Sequence, residues 1–564
     1  MKWTYKEGNR MVCRGHIVDV VARRIVDGEL IVEDGRIADI VATDEVPAEA
    51  PYYMPGFVDS HVHIESSMMV PAEFARIAVQ YGTTGVVTDP HEIANVLGIE
   101  GIEFMLRSAR LAKMHLAFGA PSCVPSMSDS FETSGARLDS HDIASLMARD
   151  EIHHLAEMMN YPGVLGGDPE VMAKIEAAHA VGKPVDGHAP GVVGEARRQY
   201  AAAGISTDHE CSTLEEGRAC IEAGMMVQIR EGSAAKNLQM LMPLVSEAPD
   251  MVMLCTDDCH PTDLIRGHID VLVRRLLREG YDVWDVLQVA CLNAVRHYRL
   301  DWGLLQKGDA ADFITVDRLD SRMRVLKTYI AGEKVYSASN YLTTITSLSS
   351  SVHSQLSMLH SYPNNFVAQP ITVDDIAREP KPGDVVKVIR AYDGSLLTDC
   401  ETIAVTGNPL RDAQHSWSEI QKIVVYNRYK EGAKPVVGFV RGFNLKDGAI
   451  AASIAHDCHN IVAIGATDEQ IVQAINRIVD LRGGIVAIAG DNSVDLPLPI
   501  AGLISPLSGH EIAFRGTLLE EMAVRAGCTF HSPFITMAFM ALPVIPAIKI
   551  TDKGVLDSVH FRFI

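Results

Sequence analysis

Two histidines, His61 and His63, close a short apolar run that begins at a Pro-Gly turn. Residues two apart on a β-strand point to the same face, so both imidazoles can be directed at one point. A strand end that offers two nitrogen ligands is typical of a metal site. An isolated His-x-His pair is more often two solvated side chains, so the rest of the chain decides between these interpretations.

More histidines and carboxylates follow, each at the end of its own predicted strand. We predict that four imidazoles and two carboxylates come together at one end of the predicted strands and bind metal: His61, His63, Glu157, His188, His209 and Asp257. One ion seldom takes six protein side chains and keeps an open position for catalysis. Two divalent ions about 3.5–4 Å apart can share them through a bridging carboxylate and a water. Nitrogen and oxygen ligands without thiolate suit Zn²⁺, Mn²⁺ and Fe²⁺ about equally.

The elements that must position these side chains alternate between short apolar runs and amphipathic helices. Eight candidate strands end near His63, Asp89, Gly119, Glu157, His188, His209, Arg230 and Asp257. One of the intervening helices begins with a capping box, Thr213-Leu-Glu-Glu216. Eight strand-helix units in about 240 residues predict an α/β fold, a (β/α)₈ TIM-like barrel. A doubly wound open sheet is the alternative, but the polar residues fall at the C-terminal strand ends, where a barrel builds its site.

The segments on either side of the predicted barrel have a different pattern of apolar and polar residues. Residues 1–53 alternate apolar and polar positions around a hairpin signal at Asp34-Gly35, which predicts the first part of a small β-sandwich. We predict the barrel over residues 54–300, and short strands over residues 301–340 that complete the composite sandwich. Residues 341–366 are rich in Ser, Thr, Asn and His and form the expected linker to a separate C-terminal α/β domain, residues 367–564.

Charge and composition restrict the partners. The net charge of −22 argues against a nucleic acid or an anionic membrane as the main partner. The N-terminus is polar and charged, and the apolar run 534–548 is too short to span a bilayer and is broken by Pro543 and Pro546. Ten scattered cysteines lack the density of a disulfide scaffold. We therefore expect a cytoplasmic protein with neither a nucleic-acid nor a membrane partner.

Longer motifs carry a family resemblance. Met54-Pro-Gly-Phe-Val-Asp-Ser-His-Val-His63, the later strand-end residues and the Gly308-Asp-Ala-Ala-Asp312 tail resemble the amidohydrolase superfamily over residues 11–336. Within that superfamily, four further stretches and the additional C-terminal domain are similar to bacterial and archaeal adenine deaminases: Glu65-Ser-Ser, Asp89-Pro-His-Glu-Ile-Ala-Asn95, Glu157-Met-Met-Asn160 and Ile229-Arg-Glu-Gly-Ser233.

The resemblance implies hydrolysis of adenine to hypoxanthine and ammonia by a metal-activated hydroxide, as in purine salvage. It implies ligand roles for the same six residues and a pair of Mn²⁺ or Fe²⁺ ions, with Zn²⁺ as a further candidate. Dihydroorotase- and hydantoinase-like relatives carry a carboxylated lysine where this chain has Glu157. The implied partner is a small-molecule purine, and the expected assembly is a homodimer or a higher homo-oligomer.

Deamination by water needs a nucleophile, a protonated ring nitrogen and a proton for the departing ammonia. Asp257 is our candidate to take the proton of the nucleophile and pass it to the amine. Glu92 is our candidate for the acid that protonates the ring, with His91 and His260 as alternatives. We predict that the purine is contacted by His91, Arg230, Glu231 and Ser233.

Two other functions compete with this one. Another binuclear amidohydrolase acting on a cyclic amide would release a ring-opened acid and no ammonia. A non-catalytic scaffold that uses its C-terminal domain to bind partners has no reason to hold all six ligands. We interpret the segment His456-Asp-Cys-His459 as an ordinary polar loop, in preference to a contact with the active site or a further metal site.

Overall fold

The computed structural model describes residues 10–127, 129–233, 235–340, 362–406 and 419–564. The N-terminal nine residues and residues 341–361 of the predicted linker lie outside this described part. The chain divides into two compact units. Unit 1 comprises Met1–Pro90, Phe104–Ser122 and Asp139–Met358, and unit 2 comprises His91–Glu103, Cys123–Leu138 and Leu359–Ile564.

The strands of unit 1 fall into a barrel and a composite sheet. In chain order they are β1 (Arg10–Asp19), β2 (Arg24–Glu33), β3 (Arg36–Ala42), β4 (Tyr52–Met54), β5 (Phe57–Val62), β6 (Thr83–Thr88), β7 (His115–Ala120), β8 (Ile152–Met158), β9 (Val185–Gly187), β10 (Thr207–Asp208), β11 (Met226–Arg230), β12 (Val252–Cys255), β13 (Phe313–Val316), β14 (Val325–Ile330) and β15 (Glu333–Ser337).

Strands β5 to β12 run parallel in the order of the sequence. Strands β5–β9 form one sheet and β10–β12 another. A parallel bridge between Val62 and Asp257 connects the outer strands β5 and β12. The amide of Ser206 donates to the carbonyl of Val185 at 2.9 Å, which connects the segments of β9 and β10. The ring is therefore closed, and the predicted barrel is confirmed in preference to an open sheet with two free edges.

The composite sheet combines strands from both ends of unit 1, in the order β15-β14-β13-β4-β1-β2-β3. Strand β4 joins the two groups, because Tyr53 pairs with Ile17 on one side and with Thr315 on the other. The hairpin between β2 and β3 turns at Asp34 and Gly35, whose φ angles of 48° and 75° are those of the predicted tight turn.

Helices cover the outside of the barrel and of the C-terminal sheet. In chain order they are α1 (Pro71–Ala78), α2 (His91–Leu97), α3 (Ile99–Ala109), α4 (Ser140–Met147), α5 (Tyr161–Gly166), α6 (Pro169–Ala180), α7 (Gly194–Ala202), α8 (Leu214–Glu222), α9 (Leu238–Leu241), α10 (Leu244–Glu247), α11 (Pro261–Leu264), α12 (Ile269–Arg278), α13 (Val283–Leu287), α14 (Asn293–His297), α15 (Val373–Ile376), α16 (Asp468–Leu481), α17 (Gly509–Arg525) and α18 (Pro533–Ala538). The capping box predicted before α8 is confirmed, since Thr213 and Glu216 exchange side-chain and backbone hydrogen bonds. No helix in the described part of the chain is long and apolar enough to cross a membrane.

Unit 2 is built on an eight-stranded sheet with the order β17-β16-β19-β18-β21-β20-β22-β23. Its strands, with those of a smaller three-stranded sheet, are β16 (Val385–Arg390), β17 (Asp399–Ala404), β18 (Ile420–Tyr426), β19 (Val436–Arg441), β20 (Gly448–Ala452), β21 (Ile461–Gly465), β22 (Gly484–Ala489), β23 (Asn492–Pro497), β24 (Ile548–Thr551), β25 (Gly554–Asp557) and β26 (Arg562–Phe563). Helix α16 buries Ile471, Ile475 and Ile478, which are spaced to lie on one face, in the core of this unit.

Candidate metal centre

The six predicted ligands all lie in unit 1, at or just beyond the C-terminal ends of barrel strands. The carboxyl ends of parallel barrel strands meet at one rim, so residues distant in sequence come together there. Each of the six is at most 5% exposed: His61, His63, Glu157, His188, His209 and Asp257. The barrel therefore gathers four imidazoles and two carboxylates into a buried cluster.

The carboxylate of Glu157 serves two pairs of histidines. Its Oε1 lies 3.2 Å from His63 Nε2 and 3.8 Å from His61 Nε2. Its Oε2 lies 2.6 Å from His188 Nδ1 and 3.3 Å from His209 Nε2. One oxygen faces each pair, which is the arrangement required of a carboxylate that bridges two cations.

Asp257 completes the half of the cluster formed by His61 and His63. Its Oδ1 lies 2.9 Å from His63 Nε2 and 3.5 Å from His61 Nε2, while its Oδ2 accepts a hydrogen bond of 2.5 Å from Arg230 Nη1. The backbone of Asp257 has a φ of 57°, which is uncommon for a residue with a side chain. Backbone hydrogen bonds with His61 and His63, 2.9 and 3.1 Å long, hold it in this conformation.

The donor set fits a divalent metal. Ligands that each lie about 2.1 Å from one ion are about 3.0–3.4 Å apart, close to most of the separations between the donor atoms of this cluster. Within the described residues, Nε2 of His61 is buried without a hydrogen-bond partner, although both carboxylates lie near it. The Nδ1 atom of His63 lies 3.0 Å from the carbonyl of Asp89, an outer hydrogen bond that leaves Nε2 for the metal.

Neighbouring charges keep the carboxylates ionised in spite of their burial. Burial by itself would raise the pKa of Glu157, but His188 and His209 hold it well below the usual value. Burial would likewise raise the pKa of Asp257, and Arg230, His61 and His63 lower it well below the usual range. Ionised carboxylates are the protonation state that metal coordination requires.

The imidazole of His188 shows the opposite balance. Burial lowers its pKa, but Glu210 and Glu157 more than offset this effect and raise the pKa to about 9. Before metal enters, a proton on His188 therefore offsets part of the negative charge of these carboxylates. Metal binding must displace such protons, so loading is expected to weaken at low pH.

Glu210 is a member of the cluster that the sequence analysis missed. Its Oε1 lies 2.5 Å from Arg230 Nη1 and 3.7 Å from both His188 Nδ1 and His209 Nε2. Arg230 thus joins two carboxylates, those of Glu210 and Asp257. The adjacency of Glu210 to His209 was the available signal, but adjacent strand residues normally point to opposite faces.

The other predicted substrate residues of unit 1 are held by neighbouring side chains. Glu231 forms an ion pair of 2.9 Å with Arg275. The hydroxyl of Ser233 donates to Asp263 at 2.6 Å and accepts from the amide of His260 at 2.8 Å. Arg230 is therefore the one of the three whose contacts include a ligand of the cluster.

His91 and Glu92 belong to unit 2, where they begin helix α2. The carboxylate of Glu92 contacts both His456 and His459, and all of these side chains are buried. The interpretation of residues 456–459 as an ordinary polar loop was therefore wrong. Nothing in the local sequence connected this segment with Glu92.

Comparisons with known proteins cover nearly the whole chain. Residues 52–335 match the Amidohydrolase family, and residues 396–562 match the Adenine deaminase C-terminal domain. The curated protein "Adenine deaminase" from Salinibacter ruber is 48% identical over 552 residues, 98% of each chain. The chain belongs to the adenine deaminase family. Its counterpart from Methanosarcina mazei, also named adenine deaminase, is 47% identical over 566 residues, again 98% of each chain.

Membership of the adenine deaminase family accounts for both halves of the chain, since one family match covers the barrel segment and the other the C-terminal segment. Amidohydrolases bind a divalent metal, and the buried histidine and carboxylate cluster fits one. Among solved structures, an enamidase of the amidohydrolase superfamily is similar with a TM-score of 0.45 and 17% identity, over 59% of this chain and 97% of its own.

Proposed function

We propose that this chain hydrolyses free adenine to hypoxanthine and ammonia with two divalent ions. The observation that supports a binuclear hydrolase is the carboxylate of Glu157, which presents one oxygen to each of two histidine pairs. The purine substrate is supported by the adenine deaminases that this chain resembles over nearly its full length. In the reaction the C6–N bond of adenine breaks, a C6–O bond forms, and the amine leaves as ammonia.

Each ion has its own ligands in this proposal. The first would be held by His61, His63 and Asp257, the second by His188 and His209, and Glu157 would be shared. When bound, the two ions would supply Lewis acidity that lowers the pKa of a bound water, so that hydroxide can form near neutral pH. Nitrogen and oxygen donors suit Mn²⁺, Fe²⁺ and Zn²⁺ about equally. The resemblance to adenine deaminases favours Mn²⁺ or Fe²⁺, and Zn²⁺ is the alternative metal.

Asp257 is the proposed proton carrier. Its carboxylate is ionised, so it can accept a proton from the attacking water. Arg230 at 2.5 Å disfavours the protonated form, so a proton taken up by Asp257 is readily passed on to the departing amine. Arg230 also fixes the direction of Oδ2 and anchors this carboxylate to Glu210.

The remaining predicted residues act on the purine in this proposal. Glu92 protonates the ring nitrogen, and the base is contacted by His91, Arg230, Glu231 and Ser233. We further propose that the enzyme works in the cytoplasm, which the ten scattered cysteines support, as a homodimer or a higher homo-oligomer.

The test is metal analysis followed by an ammonia-release screen. Purified enzyme should contain two ions per chain and should release ammonia from adenine but much less from adenosine. A ring-opened acid from a cyclic amide, without ammonia from adenine, would support the other amidohydrolase activity instead. Fully active enzyme with one ion per chain would refute the binuclear assignment.

A further inference from the structure

The carboxylate of Glu92 is held by two histidines that lie more than 360 residues further along the chain. Oε1 of Glu92 lies 2.7 Å from Nδ1 of His456, and Oε2 is in hydrogen-bond contact with Nε2 of His459. Glu92 is 2% exposed, and all three residues belong to unit 2. Each carboxylate oxygen therefore has its own imidazole, which leaves the group one orientation.

Both imidazoles are themselves fixed. The amide of Ala455 donates to Nδ1 of His459 at 3.3 Å, so this nitrogen is the acceptor and Nε2 carries the proton. The same residue is anchored through its own amide, which donates to the carbonyl of Ala455 at 2.7 Å. The ring of His456 stacks on Phe539 with a centroid separation of 4.4 Å and an interplanar angle of 12°. Two oriented N–H donors thus converge on one buried carboxylate.

The charge on Glu92 agrees with this geometry. Burial by itself would raise the pKa of Glu92, but His456, His459 and His91 lower it well below the usual value. Burial lowers the pKa of His459 to about 4, so its imidazole is neutral near pH 7 and donates through a single N–H. A buried carboxylate with such donors is held as an anion in a fixed orientation. Glu92 must therefore take up a proton, which its low pKa makes it release readily, before it can protonate the ring nitrogen.

We propose that His456 and His459 are positioning residues for adenine deamination, acting by fixing the carboxylate of Glu92. The inference rests on the proposed function, in which Glu92 acts on the purine ring. The contacts on which it rests all lie within unit 2. Neither histidine needs to touch the substrate for this role.

The test uses substitutions that remove or keep the donor atom. His456→Ala and His459→Ala should each lower kcat for adenine about 10-fold to 100-fold, the usual range for outer groups that orient a catalytic side chain. KM and the metal content should change by less than about three-fold. His456→Asn places an amide N–H near the former Nδ1, and His459→Gln places one near the former Nε2, so both should regain most of the rate.

Asn460→Ala is the matched control. Asn460 lies next to His459 and bonds to the carbonyl of Thr133 at 2.9 Å, so its loss disturbs the same loop without removing a donor from Glu92. Its kcat should stay within about three-fold of the unmodified enzyme. Circular dichroism and the melting temperature of each variant separate loss of folding from loss of positioning.

A double-mutant cycle decides whether the histidines act through Glu92. In a Glu92→Gln background, measured with stoichiometric enzyme, His459→Ala should cause little further loss. An additive loss, a normal kcat in both alanine variants, or full activity of Glu92→Gln would overturn the inference while leaving adenine deamination intact. Absence of ammonia release from adenine by the unmodified holoenzyme would refute the proposed function as well.

Discussion

Replacement of Arg197 by alanine should measure how much one buried ion pair near the rim of the barrel contributes to the free energy of unfolding. Arg197 is 1% exposed on helix α7, and its Nη1 contacts the carboxylate of Asp208, which is 0% exposed. Its Nε and Nη2 donate to the carbonyls of Val192 and Ala189 at 2.9 and 3.1 Å. Asp208 immediately precedes the predicted ligand His209.

The size of the effect follows from what the substitution leaves behind. Removal of one partner of a buried pair costs about 3–5 kcal/mol, because the other charge stays buried without compensation. Burial by itself would raise the pKa of Asp208, and Arg197 holds it below the usual value in the intact protein. Without the guanidinium the folded-state pKa rises above that of the unfolded chain, so the variant loses stability as pH increases. The penalty should therefore grow as pH rises above about 3.9, the pKa of an aspartate in the unfolded chain.

The neighbouring Arg198 is the matched control. It lies on the same helix and pairs with Glu195 at 2.6 Å, but the two side chains are 65% and 82% exposed. An exposed pair contributes about 0–1 kcal/mol, and the change in helix propensity is the same for both arginines. Urea denaturation at pH 6 and pH 8 and the rate of metal release to a chelator should distinguish Arg197→Ala from Arg198→Ala. Equal losses in the two variants would refute the reasoning.

Three further predictions test the centre and unit 2. Asp257→Asn keeps the shape of the side chain, but the amide cannot accept a proton. The variant should therefore keep much of its metal while kcat falls by about 10²–10⁴. A near-normal kcat with full metal would assign proton transfer to another group. Glu157→Ala should lower both metal content and turnover, and two ions with a normal rate in this variant would contradict the bridging role of Glu157. Reconstitution of the unmodified apo-enzyme should not need bicarbonate, since no lysine carboxylation is involved. Burial raises the pKa of Glu132 to about 8, although Ser126 donates a hydrogen bond to it at 2.6 Å. Between about pH 4.5 and pH 8 this carboxyl group is therefore ionised in the unfolded chain but protonated in the folded one, and the folded state loses stability as pH rises. Glu132→Gln should therefore gain stability relative to the unmodified protein over this range, by up to about 1.4 kcal/mol per pH unit in denaturation experiments, and a pH-independent difference would contradict the raised pKa.

The sequence determined much of the barrel and the positions of the six predicted ligands, because these features depend on residues that are close together in the chain. Each barrel strand is a short apolar run, and each of the six predicted ligands stands at the end of its run, as in Phe57 to Val62 before His63. The hairpin at Asp34-Gly35 and the capping box at Thr213 likewise depend on residues within one turn. Such features can be predicted from the sequence because the interactions that produce them are short in range.

Only the tertiary structure decided which charged groups meet. The fold sets the guanidinium of Arg230 between Asp257 and Glu210, and the sequence pattern around Glu210 did not predict this contact. His456 and His459 contact Glu92 across a sequence separation of up to 367 residues. A buried charge selects its partner by distance and orientation in the folded chain, and neither quantity is encoded in the spacing of residues along a strand or helix.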